Sequence, residues 1–479
     1  MKFLDVSAWT VAKFGGSSVS SAARWARIQQ IVAGHRAAGQ RVLVVCSAVA
    51  GVTDRLIALD EALRAGAEVS SQLVELATVH YELASALGLD GRRLLAAELA
   101  SLGAQTKISE RTPEARAALL SHGELMSSRL GAAFLARSFR TSCVDARTLL
   151  VAEPAADGAT RYLSARCPDE PVVDVRRVLA STGAEVVVSQ GFIASAAEGG
   201  TALLGRGGSD ASAAYLAAAI DAHALEIWSD VPGLFTADPR HVPGARLLRR
   251  LEYREAQALA SLGAKALHPR ALEPCQRRGI VLRLGWTDRP DVEGTRIGAM
   301  RSAPGARGVT SRNDLALISV ERPAVWQPVG FLAAVSEIVQ RRDLPIDLLT
   351  SSPAEIRFTL DLAGSPAARE ELPALVDELA KVGRTTRWSR VGCISAIGVR
   401  DAPPAFRATT PLLVAHAADG SHVSVVVDHR ELTALTKRAH EELFGARTLD
   451  PTVFGPRWDQ LRAPRVAPVR EEVACPIPA

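Results

Sequence analysis

Between residue 8 and about residue 298, short apolar runs alternate with stretches whose apolar positions recur at helical spacing. The runs are Trp9–Phe14, Arg41–Ser47, Ser142–Asp145, Glu185–Gln190, Leu225–Trp228 and Ile280–Leu284. The helical periods fall over Ser20–His35, Val69–Leu87, Gly91–Lys107, Gly123–Arg137, Asp210–Ile220 and Arg254–Ala260. Near-continuous apolar strands separated by amphipathic helices predict an α/β unit, an open and mostly parallel sheet covered by helices on both faces. At Met300–Arg307 the stretch Arg301-Ser302-Ala303-Pro304-Gly305 interrupts the pattern and predicts a boundary. Beyond it come strand Leu315–Glu321, helix Val329–Arg342, strands Ile346–Leu349 and Ile356–Leu362, helix Arg369–Val382 and strand Val391–Val399. That order, βαββαβ, is ferredoxin-like. A further set follows, with strands Leu412–Ala415 and His422–Asp428 and helix Arg430–Phe444. The chain therefore divides into 8–298, 308–447 and a Pro-rich tail, 448–479, expected to be weakly ordered.

Composition narrows the function classes. The net charge of +4 is small for 479 residues, and basic and acidic residues are interleaved, so no nucleic-acid partner is expected. Arginine greatly outnumbers lysine, which singles out Lys13 and Lys265 inside glycine-containing motifs. The cysteines, at 46, 143, 167, 275, 393 and 475, show no C-x-x-C spacing, which argues for a reducing compartment over a disulfide or zinc framework. The apolar run Val42–Val52 is too short to span a bilayer, and Met1–Asp5 opens no signal peptide. A cytoplasmic protein with no membrane partner is expected.

Two turns carry the strongest chemical signal: Lys13-Phe14-Gly15-Gly16-Ser17-Ser18 and Gly205-Arg206-Gly207-Gly208-Ser209-Asp210. Each follows an apolar run, and each puts paired glycines and small hydroxyls where a helix is expected to begin. Paired glycines admit close backbone approach, and a helix N-terminus offers free N–H groups to an anion. Lys13 is placed to neutralise a transferring phosphoryl group, and Arg206 to grip a carboxylate. Ser121-His122-Gly123-Glu124 fits a capping box, which accounts for Glu124 without any function. Ser229-Asp230-Val231-Pro232-Gly233-Leu234-Phe235-Thr236-Ala237-Asp238-Pro239-Arg240 follows a strand, where open α/β sheets bind ligands. There Asp230 could hold ribose or a Mg²⁺-bound water, Phe235 could cover a base and Arg240 could reach phosphate. Lys265 lies in another loop. No Walker P-loop, G-x-S-x-G elbow, H-E-x-x-H or G-x-G-x-x-G after the first strand is present.

Taken in order, these motifs together with Gly263-Ala264-Lys265-Ala266-Leu267-His268-Pro269 resemble the signature set of the aspartate kinases within the amino-acid kinase superfamily. The likeness is strongest to the lysine-sensitive type with C-terminal ACT domains. It covers 8 to about 298 and continues, more loosely, through Gly330-Phe331-Leu332-Ala333 and Ile346-Asp347-Leu348-Leu349-Thr350. The resemblance implies an enzyme that phosphorylates the side-chain carboxylate of L-aspartate with ATP, Mg²⁺ being carried by the nucleotide, to give 4-phospho-L-aspartate and ADP at the head of lysine, threonine and methionine synthesis. It implies that Lys13 stabilises the phosphoryl group and Asp210 organises the site. Arg206 would take the α-carboxylate and Glu124 the α-amino group, with Thr53, Phe192, Gly207, Gly208 and Ser209 also on the substrate side. Phe14, Gly15, Gly16, Ser229, Asp230, Phe235, Arg240, Lys265 and Ala266 would join Lys13 on the nucleotide side. A homo-oligomer and an amino-acid effector at the ACT region are implied as well.

Ser18, Ser229 and Phe235 replace the family's more usual Thr, Thr and Tyr. The second ACT unit lacks the expected helix between Val399 and Leu412, and Trp326-Gln327-Pro328-Val329 departs from the usual effector loop, so a weakened or altered effector response is expected. Another kinase of the superfamily, acting on glutamate, acetylglutamate or a nucleotide, would not be expected to combine Ser-His-Gly-Glu with an ACT-like region. A catalytically silent amino-acid sensor would be expected to lack Lys13 or Asp210.

Overall fold

The computed structural model describes residues 9–300, 304–322, 329–363, 366–445 and 447–462. An eight-stranded sheet runs in the order Thr141–Cys143, Val186–Gln190, Arg41–Cys46, Trp9–Phe14, Ala224–Ser229, Val281–Trp286, Thr295–Gly298, Arg250–Glu252. The first six are parallel, and Thr295–Gly298 joins them antiparallel. Alternation of side chains across the strands builds two cores. Val11, Leu43 and Val45 enter one, with the helices Gly208–Ala219, Tyr253–Ser261 and Leu272–Arg278. Ala12, Phe14, Val42, Val44 and Cys46 enter the other, with Ala22–Ala37, Val52–Arg64 and His122–Leu135. The expected open parallel sheet with helices on both faces is the one observed.

Two local expectations are corrected. The period over Gly91–Lys107 is two helices, Gly91–Leu94 capped by Asp90 and Ala96–Gln105. The capping box at Ser121 does not form. Ser121 is itself in helical conformation and its hydroxyl donates to the Ala118 carbonyl. The chain arrives there from the helix Pro113–Leu120, so the amides of Ser121 and Leu125 already have carbonyl partners and need no cap.

The C-terminal region is one six-stranded antiparallel sheet, in the order Leu349–Ser351, Glu355–Asp361, Gly308–Glu321, Arg384–Ile397, His422–Asp428, Leu413–His416. The two ferredoxin-like units share its central pair. Leu315–Glu321 serves the first unit and Gly308–Arg312 the second, with a register shift between Arg312 and Leu315. The polar run Thr310–Asp314 concealed this continuation, because alternation over Leu315–Glu321 alone marks only half the strand. Helices Phe331–Arg341 and Pro366–Leu379 cover the first unit. The helix that the sequence seemed to omit from the second is a single turn, Pro404–Arg407, with Ala405 and Phe406 buried. Trp326–Pro328 and Arg301–Ala303 lie outside the described residues.

The tail is ordered where it is described. Phe454–Arg457 pairs with Arg246–Leu248, and Trp458–Arg462 is helical. Proline content suggested otherwise, but Val453, Phe454, Trp458 and Leu461 find apolar cover on the rest of the chain. The irregular register between Phe454 and Arg457 accommodates Pro456. Among the described residues no helix is long and apolar enough to cross a membrane.

Candidate active site

A cleft of about 450 Å³ opens at the carboxyl ends of the central parallel strands, where the chain order reverses about Trp9–Phe14, the usual ligand crevice of such sheets. It is lined by Lys13, Gly15 and Gly16, by the loop Ser47–Gly51 with Thr53 and Asp54, by Glu124 and Phe192, and by Gly205–Asp210. Lys13, the last residue but one of the first strand, lies between Val45 and Ile227 of its neighbours. Its Nζ lies 2.6 Å from Asp210 Oδ1. The helix that carries Asp210 is rich in buried alanines (Ala211, Ala213, Ala214, Ala217 and Ala218), so it can lie close against the sheet.

Two helix N-termini face this cleft without a side-chain cap. Gly207 precedes Gly208–Ala219 and Gly51 precedes Val52–Arg64, both glycines in the left-handed region. The first was expected from the sequence; the second was not. The helix after the Lys13 turn starts only at Ala22, and Ser21 caps it by accepting from the Arg24 amide. The amide dipoles opposite Asp210 therefore come from Gly51, and Gly16 serves close approach: a Cβ on it would lie 2.8 Å from the Ala48 carbonyl oxygen. The loop Ser47-Ala48-Val49-Ala50-Gly51 was missed because it carries one hydroxyl and no charge. Its one signal was the glycine closing a long apolar run.

Glu124 is buried at the cleft wall. Its Oε1 accepts from the Ala48 amide at 3.1 Å, and Oε2 is buried without a hydrogen-bond partner. Burial pushes this carboxyl up to about 8, against the opposing pull of the Ala48 amide and the Lys13 charge. An orphaned acid of this kind suits a ligand cation. Phe192 stands beside it with φ 68, a conformation costing about 1–3 kcal/mol in a non-glycine residue. It is held there because its amide donates to Ser212 Oγ and its carbonyl accepts from Leu204. His268, unassigned in the sequence, donates its amide to Asp210 Oδ2 at 3.3 Å. Arg206 is exposed at the rim.

The other candidates lie outside this cleft. Phe14 is fully buried and stacks on Trp228, so its side chain is core and only its backbone faces the turn. Ser229 Oγ donates to the Val231 carbonyl. Phe235 is buried in an aromatic cluster with Trp286 and Trp458. Arg240 is paired with Asp238 at 2.5 Å, and Asp230 and Lys265 are exposed. Ser229, Asp230, Phe235 and Arg240 border the end of the strand Ala224–Ser229. That strand touches the Lys13 turn directly, the Gly15 amide and the Ser18 hydroxyl both donating to the Trp228 carbonyl, and also through Thr287. Thr287 donates its amide to the Ser229 carbonyl and shares a 2.7 Å hydrogen bond with Ser18. The described residues contain no cluster of acidic, His and Cys side chains suited to hold a metal ion.

The family model for the amino acid kinase family matches residues 8–285. Lysine-sensitive aspartokinase 3 of Escherichia coli (strain K12) is 30% identical over 454 residues, which take in 91% of this chain and 99% of that protein. The solved structure of Escherichia coli aspartokinase III in complex with aspartate and ADP, in its R-state, gives a TM-score of 0.79 at 28% identity over 91% of this chain and 99% of that one. The same enzyme with lysine and aspartate, in its T-state, gives 0.75 at the same identity and coverage.

Proposed function

Because the chain belongs to the amino acid kinase family, and within it to the aspartokinases, we propose that it transfers a phosphoryl group from ATP to the side-chain carboxylate of L-aspartate. The products are 4-phospho-L-aspartate and ADP, the entry to lysine, threonine and methionine synthesis. The observation that carries this reading is the Lys13–Asp210 pair set between two uncapped helix N-termini, with the orphaned acid of Glu124 alongside.

The chemistry asks one anion to attack another, so the site must supply positive potential and alignment rather than a base. The attacking carboxylate is already ionised near neutral pH. Lys13 and the amides behind Gly51 and Gly207 are assigned to the transferring phosphoryl group, which enters as the magnesium complex of ATP. Asp210 orients Lys13. Arg206 is assigned to the α-carboxylate and Glu124 to the α-ammonium, with Thr53, Phe192, Gly208 and Ser209 shaping that end. Gly15, Gly16, Ser229, Asp230, Arg240, Lys265 and Ala266 are assigned to the nucleotide, Phe235 as a wall rather than a lid.

We assign residues 8–298 to catalysis and 308–447 to an ACT-type regulatory region. We further propose a cytoplasmic homo-oligomer that pairs through edges of the six-stranded sheet, where exposed strands invite cover, and an amino-acid effector bound at that sheet. The test is ATP turnover by purified protein, with acyl phosphate trapped as the hydroxamate. Aspartate, glutamate and acetylglutamate serve as acceptors, each with and without lysine and threonine. Product from aspartate alone supports the reading; no product from aspartate ends it.

A further inference from the structure

Part of the apolar support of the Ser229–Arg240 loop comes from the C-terminal segment. Phe235 is 8% exposed and meets the indole of Trp458 edge-on, with ring centroids 5.5 Å apart and planes at 88°. Trp458 also packs on Trp286 at 5.7 Å. Trp286 ends the strand Val281–Trp286 and stands opposite Ser229 in register. The next residue, Thr287, is the one that binds Ser229 and Ser18. One indole thus braces both the loop and the strand end that touches the Lys13 turn.

The indole is itself well anchored. The Trp458 amide donates to the Ala245 carbonyl at 3.1 Å, Arg289 donates to the Leu461 carbonyl at 2.7 Å, and Leu461 is buried. Phe454 pairs with Leu248. On the other flank of the loop, His440 Nε2 lies 2.8 Å from Thr236 Oγ1 and joins the helix His429–Phe444 to the residue after Phe235.

We propose that Trp458 is a positioning residue for the nucleotide and that Phe454–Arg462 is a strap holding Phe235 and Trp286 in the geometry that receives it. The inference rests on the reading that the Ser229–Arg240 loop takes the nucleotide. Without the strap the loop samples other arrangements, and binding must then select the competent one, which lowers apparent affinity in proportion. Aspartate, assigned to Arg206 and Glu124, does not meet that cost.

The test is steady-state kinetics on the full chain carrying W458A, W458F or D230A, and on a chain ending at Thr452. W458A is expected to raise KM for Mg–ATP about tenfold, the worth of an aromatic pair of about 1.4 kcal/mol, with KM for aspartate unchanged. W458F, which keeps a ring on Phe235, is expected to recover most of the loss, and the Thr452 truncation to reproduce W458A. By linkage, ADP is expected to slow tryptic cleavage after Arg457 in the unaltered protein, and aspartate is not. An unchanged KM for Mg–ATP in W458A, or an equal rise in both KM values, overturns the inference. If D230A raises KM for Mg–ATP while W458A does not, the strap alone is wrong; if D230A changes nothing, the nucleotide reading beneath it fails as well.

Discussion

Lys13, the fifth residue of the first strand, and Asp210, in the first turn of a much later helix, meet at 2.6 Å with side chains only 12% and 13% exposed. A lone lysine at a strand end is ordinarily solvated. This one is held over the cleft by a carboxylate that also accepts the His268 amide. In the proposed reaction the pair would fix a positive charge where negative charge gathers during transfer.

Replacing Lys13 with methionine keeps much of the apolar stem and removes that charge. Loss of one such preorganised group costs about 10²–10³ in kcat. The expected result is a fall of that order in hydroxamate yield, with ADP still bound in a calorimeter. Retained acyl-phosphate production in the variant would falsify the role given to Lys13.

Glu124 supplies a proton count. Its carboxyl sits at about 8 against an ordinary 4.5, so at pH 7 the free protein holds it mostly protonated. Pairing with the aspartate ammonium favours the charged form, and binding is expected to release close to one proton at that pH. Calorimetry in buffers of different ionisation enthalpy reads the number directly; E124Q is expected to release none and to bind aspartate weakly. Stability follows the same sign. The folded state holds this proton more tightly than the unfolded chain, so stability falls as pH rises from 4.5 toward about 8. In E124Q that slope should flatten.

The sequence made the centre of the catalytic sheet legible because its central strands are apolar runs, whereas the short, polar strands Thr295–Gly298 and Arg250–Glu252 at one edge went unread. Trp9–Phe14 and Arg41–Cys46 were visible almost to the residue. Glu124 was harder, since Ser121 and Glu124 have capping-box spacing, and only the helix entering from Pro113 reveals that no cap is needed. Gly51 went unseen because no Ser, Thr, Asp or Asn stands at the N-cap, and the first polar residues, Thr53 and Asp54, already lie inside the helix. The shared central strands of the regulatory sheet, Gly308–Glu321 and Arg384–Ile397, were read only in part, as Leu315–Glu321 and Val391–Val399, because strand continuity across a polar bulge is set by partners far away in sequence.

The regulatory half carries its own prediction. Where a full helix was expected in the second unit, one turn stands at Pro404–Arg407, and Trp326–Val329 departs from the usual effector loop. We expect lysine to inhibit weakly or not at all at concentrations that saturate a lysine-sensitive enzyme. Dose–response curves with lysine and threonine measure this, and sharp inhibition by lysine would reverse the expectation.

Gly207 offers a test that separates backbone strain from site geometry. It sits at φ 69, and a Cβ there would lie 2.1 Å from the His268 ring. Alanine at this position pays about 1–2 kcal/mol for the left-handed conformation, as it would at Gly39, where φ is 78 and nothing lies within 4 Å. G39A is therefore the control: chemical denaturation should show that loss alone, with activity unchanged. G207A must in addition push away His268, whose amide holds Asp210 and through it Lys13. Its activity is expected to drop far more than its stability relative to G39A. Equal losses of stability in the two variants, with turnover intact in both, would mean that the His268 contact does not position Asp210.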